Sequence, residues 1–145
     1  MFVGESTQKL DAKFRMTMPP QHRRFLEDGM MITRGIFDQC LLVFTLSEWE
    51  SRAAKIESLE RLDRKARQLR RQFFTRAERV SMDSQGRILI SQRLREFADI
   101  DSEAIVAGNH TFLEIWSPGV WDQNAVDELD IGALDEVDER ILDLF

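Results

Sequence analysis

The sequence predicts an α+β fold made of two tandem, pseudo-symmetric copies of one small module with flanking α-helices. Three observations lead there: a repeat at a constant offset of 72 residues, short apolar and β-branched segments in each copy, and a helix-start signal closing each copy. The chain has 145 residues, 43% of them hydrophobic, enough for one core shared by two small modules.

At the offset of 72, Asp11 maps onto Asp83, Arg15 onto Arg87, Arg23 onto Arg95, Phe25 onto Phe97, Leu41 onto Leu113 and Trp49 onto Trp121, with Met18 facing Ile90 and Phe44 facing Trp116. No gap is needed. Chance supplies one or two such identities, but Asp, Arg and Trp pairs in constant register imply structurally equivalent modules. The expected division is residues 1–57 for the first module, 58–77 for a connecting basic amphipathic helix, 78–121 for the second module and 122–145 for an acidic amphipathic tail.

Within the first copy, strands are expected near Thr7–Leu10, Arg15–Met18, Met30–Thr33 and Leu41–Phe44, and the second copy repeats them. A basic turn of helix follows the second strand. Thr45 with Glu48 forms a Thr-x-x-Glu capping box ahead of a helix holding Trp49, and at the equivalent place Ser117 precedes Pro118, a favoured first helical residue. Between the copies, Leu59, Leu62, Ala66, Leu69 and Phe73 alternate in steps of three and four, the spacing of one apolar helix face. The other side of that helix carries Arg61, Arg64, Lys65, Arg67, Arg70, Arg71 and Arg76, which can meet phosphates, pair with the acidic tail of a neighbouring subunit or be simply solvated. Val126, Leu129, Leu134, Val137, Ile141 and Leu144 among acids give the tail an amphipathic pattern.

The net charge of −6 conceals a polarised chain: residues 1–97 hold 19 Lys/Arg against 13 Asp/Glu, and residues 98–145 hold 1 against 13. Such asymmetry suits nucleic-acid contact at the basic end, or a solvated acidic helix at the other. The single cysteine, Cys40, permits no internal disulfide and suits a reducing cytoplasm. The amino-terminal residues lack a signal-peptide pattern and no apolar run approaches a membrane span, so a soluble protein is expected. His22 and His110 do not correspond in the repeat and neither stands at a metal-ligand spacing with Cys40, so neither metal nor cofactor is expected. No phosphate loop, nucleophile elbow or His-Glu-x-x-His occurs, which leaves an enzyme without support. Trp49, Trp116 and Trp121 read as core.

The chemistry of the two Asp-x-x-x-Arg turns points to DNA. Arginine is the side chain whose planar fork reaches O6 and N7 of guanine together in the major groove, so Arg15 and Arg87 are the candidate base readers. Asp11 and Asp83 are placed to hold backbone amides or the guanidinium, orienting the loop. Lys13 and Gln85 share these loops, and Arg23, Arg24, Arg93 and Arg95 on the following helical turns are candidates for phosphate contact. The plainer alternative is a salt bridge that stabilises each turn and nothing more.

Met1-Phe2-x-Gly4, then Leu10-Asp11-x-Lys13-x-Arg15 and Pro19, together with Met82-Asp83-x-x-Gly86-Arg87-Ile88-Leu89-Ile90, resemble the MraZ family over about residues 1–121. The resemblance implies a swapped-hairpin, AbrB-like β-barrel formed by the two SpoVT-AbrB-type copies as an internal pseudo-dimer. It further implies chains joined into a homo-oligomeric, octamer-like ring that binds G-rich direct repeats in double-stranded promoter DNA. Such a protein is a transcriptional repressor of the division and cell-wall gene cluster, its own gene included, nucleoid-associated in the cytoplasm and with no small-molecule substrate. One departure stands out: the family has Gly before the first Arg, where this chain has Phe14. If that turn needs a positive φ, Phe costs on the order of 1 kcal/mol, so a differently shaped first loop is expected. A second function class, an AbrB-like interaction module or antitoxin acting through its acidic tail, would instead need a protein partner.

Overall fold

The computed structural model describes residues 1–125, so the predicted acidic tail lies outside the described residues from position 126 onward. In chain order the elements are β1 (Glu5–Lys9), β2 (Arg15–Thr17), α1 (Pro20–Arg23), β3 (Met30–Arg34), β4 (Leu41–Thr45), α2 (Leu46–Glu57), α3 (Arg64–Thr75), β5 (Glu78–Val80), β6 (Arg87–Leu89), α4 (Gln92–Ala98), β7 (Glu103–Asn109), β8 (Phe112–Trp116) and α5 (Pro118–Ala125). Among the described residues no helix is long and apolar enough to cross a membrane.

The strands form an antiparallel six-stranded sheet in the order β1-β7-β8-β4-β3-β5 and a two-stranded ribbon of β2 and β6. The copies are interleaved: β1 pairs with β7, and β5 pairs with β3, so the first strand of each copy lies against the third strand of the other. The fourth strands meet at the sheet centre and the second strands make the ribbon. Met16 is opposite Ile88 in the ribbon and Leu42 opposite Glu114 in the sheet, and both pairs are repeat equivalents at the offset of 72. A pseudo-twofold axis therefore runs through these two pairs.

The gapless register predicted from sequence requires one correction. Ile32 pairs with Val43 and Val106 with Ile115; since Val43 and Ile115 are equivalents at 72, the third strands correspond at an offset of 74. The first copy compensates with the six-residue connection 35–40 between β3 and β4, where the second copy has only His110 and Thr111 between β7 and β8. A slip of two leaves the in-and-out alternation of a strand intact, so the same face stays buried.

The ribbon packs on one face of the sheet. Met16, Met18, Ile88, Ile90, Ile32 and Leu113 are all fully buried there, within one core built from both copies. The opposite face is covered over β3 and β4 by α2 and α3, where Trp49 stacks on Phe73 with ring centroids 4.4 Å apart and the buried Thr33 hydroxyl donates to the Phe73 carbonyl at 3.0 Å. Trp116 meets Trp121 of α5 edge-on at 5.6 Å.

Helix ends follow their capping residues. Thr45 Oγ1 accepts from Glu48 N–H at 3.1 Å, but the Glu48 carboxylate turns to Arg52 Nε at 2.8 Å, so only half of the predicted capping box is made. Ser117 Oγ accepts from Val120 N–H at 3.2 Å and starts α5. The apolar face predicted from Leu59 to Phe73 begins later: Asp63 caps α3 by accepting from Lys65 N–H at 3.0 Å, which leaves Leu59 and Leu62 in the preceding turn, exposed to 39% and 85%.

Candidate nucleic-acid interface

The two Asp-x-x-x-Arg segments fold into the same loop. Asp11 Oδ1 accepts the N–H groups of Lys13 and Arg15, each at 2.9 Å, while Oδ2 accepts Arg15 Nε at 2.8 Å. Asp83 does the same with Gln85 and Arg87 at 2.9 Å and with Arg87 Nε at 2.8 Å. Each loop is closed by backbone bonds, Asp11 N–H to Arg15 O at 2.9 Å and Phe14 N–H to Asp11 O at 2.9 Å, matched by Asp83 to Arg87 at 2.9 Å and Gly86 to Asp83 at 3.0 Å. A short carboxylate that accepts from the backbone two and four residues on is the physical reason for Asp at this position.

The expectation of a differently shaped first loop is not met. Phe14 takes φ 61 where Gly86 takes φ 75, so the turn needs a left-handed residue in both copies and Phe14 adopts it. Its ring lies under the guanidinium of Arg95, 3.5 Å from ring centroid to Cζ, and packs against the core, which offsets the backbone cost.

Electrostatics fix the carboxylates in their charged form. Backbone N–H bonds, foremost those from Arg15 and Arg87, hold Asp11 and Asp83 below the ordinary 3.8, against a smaller opposing effect of partial burial and with help from the paired guanidinium.

The loops lie side by side across the pseudo-twofold axis. Met18 N–H donates to Gly86 O at 2.8 Å and Ile90 N–H to Phe14 O at 3.2 Å, so each loop is tied to the strand end of the other copy. Arg87 Nη1 stands 3.8 Å from Asp11 Oδ2, an ion pair between copies. Arg15 and Arg87 thus have Nε engaged by their own Asp, and among the described residues no hydrogen bond takes up their terminal nitrogens. A guanidinium held at Nε presents its outer edge as a fork, which fits two adjacent acceptors. Lys13 and Gln85 are exposed at the loop tips.

The other candidate residues are placed less uniformly. Arg23 Nε donates to Met18 O at 2.8 Å and Arg95 Nη1 to Ile90 O at 2.6 Å, and each then covers the left-handed residue of the other copy's loop. A Cβ on Gly86 would lie 2.6 Å from Arg23 Nε. These two arginines brace the loops, a role that sequence reasoning missed although their repeat identity was the available signal. Arg93 is half exposed and pairs with Glu78 at 3.3 Å, and Arg24 is exposed beside the Phe25 ring. His22 is buried against Phe2, with ring centroids 5.5 Å apart.

Comparison with known proteins finds the same two-copy organisation of the chain. The family described as "MraZ protein, putative antitoxin-like" matches residues 1–72 and again 73–144. The chain is similar to the protein named transcriptional regulator MraZ in Roseiflexus castenholzii, 44% identical over 133 residues that cover 92% of each chain. It is similar to those of the same name in Clostridium acetobutylicum, 39% identical over 136 residues (94% of this chain, 95% of the relative), and Desulforamulus reducens, 39% identical over 145 residues covering 99% of each. The likeness therefore continues past residue 121, where the motifs legible in the sequence stop. With two family matches that together span the chain and relatives of this identity, the chain belongs to the MraZ family of transcriptional regulators.

Proposed function

We propose that this transcriptional regulator binds double-stranded promoter DNA through its two Asp-x-x-x-Arg loops, with Arg15 and Arg87 reading guanines in the major groove. The observation that supports this reading is the side-by-side placement of two equivalent loops whose arginines are fixed at Nε, with no hydrogen bond to their terminal nitrogens among the described residues and only the 3.8 Å ion pair to Asp11 on Arg87. Lys13 and Gln85 contact the same DNA from the loop tips, Arg24 and Arg93 lie toward the phosphates, and Arg23 and Arg95 act by positioning the loops. Asp11 and Asp83 keep each arginine in its reading pose without touching the anionic DNA.

The finer reading follows the family resemblance. Residues 1–57 and 78–121 are the two modules, residues 58–77 connect them, and the interleaved strands close as a swapped-hairpin barrel. Several chains join in a homo-oligomeric ring and engage successive G-rich direct repeats, so that weak modules add up to firm binding. The protein acts as a repressor of the division and cell-wall cluster that contains its own gene, at the nucleoid and without a cofactor or small-molecule substrate.

Fluorescence anisotropy tests this reading with the DNA upstream of the protein's own gene and a scrambled control, using wild type, Arg15→Ala and Arg87→Ala of verified equal mass. Wild type is expected to prefer its own upstream DNA and to lose affinity steeply with salt, and each substitution to weaken specific binding by about 5- to 150-fold. Equal binding of all three proteins to both DNAs would leave the loops as structural turns.

A further inference from the structure

Helix α3 carries five cations, Arg64, Lys65, Arg67, Arg70 and Arg71, and no acid. Two are engaged within the chain: Arg67 Nη1 donates to Leu62 O at 2.7 Å, and Arg70 Nη2 to Glu57 O at 2.7 Å and Leu59 O at 3.0 Å, closing the turn between α2 and α3. Arg64, Lys65, Arg71 and the following Arg76 are exposed, and among the described residues none of them joins an ion pair. Leu69 and Phe73 of the same helix line a groove of about 460 Å³ whose walls also include Phe37, Ile56 and Phe112, with the cations Arg52 and Lys55 and the acids Asp38 and Glu114 among them. Phe37 is 96% exposed and sits in the connection 35–40, where the first copy is longer than the second. Among the described residues the second copy has only His110 and Thr111 in place of that connection.

An occupant that covers both the cations of α3 and the groove is anionic and apolar at once. A DNA backbone matches the cations but brings no apolar group to the groove. Residues 126–145 match both: they hold eight Asp or Glu against Arg140 alone, with Leu, Ile, Val and Phe between them. At the repeat offset of 72 they are also the counterpart of α3. Ile141 stands for Leu69 and Phe145 for Phe73, while Glu136, Glu139 and Asp143 occupy the places of Arg64, Arg67 and Arg71. The second family match runs to residue 144, through this segment. One repeat position is thus cationic in the first copy and anionic in the second.

We propose that the acidic segment 126–145 of one chain binds the cationic face of α3 and its apolar groove on a second copy of the chain. Each chain then offers one receiving face and one acidic segment, a head-to-tail contact that leaves both elements unused at the ends of a row and satisfied when the row closes. The inference rests on the multi-copy reading proposed above, not on the DNA reading, and is tested without DNA.

Three full-length chains decide it: wild type, Arg64→Glu/Lys65→Glu/Arg71→Glu, and Glu136→Lys/Glu139→Lys/Asp143→Lys, each with unchanged circular dichroism, weighed by sedimentation equilibrium at low salt. Wild type is expected as a multi-copy assembly, each variant as an assembly at least tenfold weaker in association, and an equimolar mixture of the two variants at the wild-type mass, because the reversed α3 of one meets the reversed segment of the other. Variants that keep the wild-type mass overturn the proposal. A mixture that stays dissociated overturns it too, placing the segment on its own chain. A wild type of single-chain mass overturns the multi-copy reading and this contact with it.

Discussion

Gly86→Ala isolates the brace between the copies. The substitution places a Cβ in a residue held at φ 75, a left-handed conformation that costs a non-glycine residue about 1 kcal/mol. It also puts that Cβ 2.6 Å from Nε and 2.7 Å from Cζ of Arg23, whose Nε is committed to Met18 O at 2.8 Å and so cannot swing away freely. Giving up that half-buried charged hydrogen bond adds about 1.5 kcal/mol, for a total loss of about 2–3 kcal/mol. Urea unfolding at fixed protein concentration, with an unchanged slope, measures it. In an Arg23→Ala background the same substitution should cost only the backbone contribution of about 1 kcal/mol, a coupling of roughly 1–2 kcal/mol between the sites. Additivity of the two substitutions to within about 0.5 kcal/mol would refute the brace, since Arg23 would then be indifferent to what stands at position 86.

Other consequences follow from single groups. Burial, with a smaller effect of the amino-terminal ammonium, pushes His22 below its ordinary 6.5, so the unfolded chain binds its proton first; stability should be full above pH 6.5 and fall as pH drops through the lower folded value, and His22→Gln should flatten that slope in urea titrations at pH 7.5 and 5.5. Asp11 and Asp83 titrate below 3.8 when folded, so their contribution is present above that pH and lost beneath it; near-neutral changes of pH should leave loop chemical shifts untouched. Burial, aided by Glu114 and Asp38, pushes the Cys40 thiol up, so Ellman's reagent at pH 8 should react roughly a hundredfold slower with native than with urea-unfolded protein. Met16→Ala, at the fully buried centre of the ribbon, should destabilise by about 2–5 kcal/mol in the same unfolding assay.

Much of the fold was legible because its signals are local. The strands follow β-branched and apolar runs, α2 and α5 start at Thr45 and Ser117, and the Asp, Arg and Trp identities mark equivalent loops and helix starts. The two-residue slip of β7 against β3 was hidden because alternation has a period of two, so either register buries the same face. Leu59 and Leu62 fit a helical period yet fall before a cap, and periodicity alone does not weigh Asp63. At the site, each Asp reads directly as a loop organiser since its partners lie within four residues. Arg23 and Arg95 bind carbonyls only five residues back in their own copy, but they cover Gly86 and Phe14 of the other copy's loop, contacts that exist only once the copies interleave and so leave no mark in the sequence.

Guanine reading by Arg15 and Arg87 has one direct measurement. The DNA upstream of the gene is synthesised with 7-deazaguanine at successive guanines, which removes the N7 acceptor and leaves pairing intact, and affinity is measured at one fixed salt for wild type, Arg15→Ala and Arg87→Ala. Wild type should lose about 5- to 150-fold at particular guanines, and each arginine variant should be blind to the substitution at the guanine its own loop contacts. If 7-deazaguanine leaves wild-type affinity unchanged at every position, or weakens the variants as much as wild type, the arginines do not read guanine.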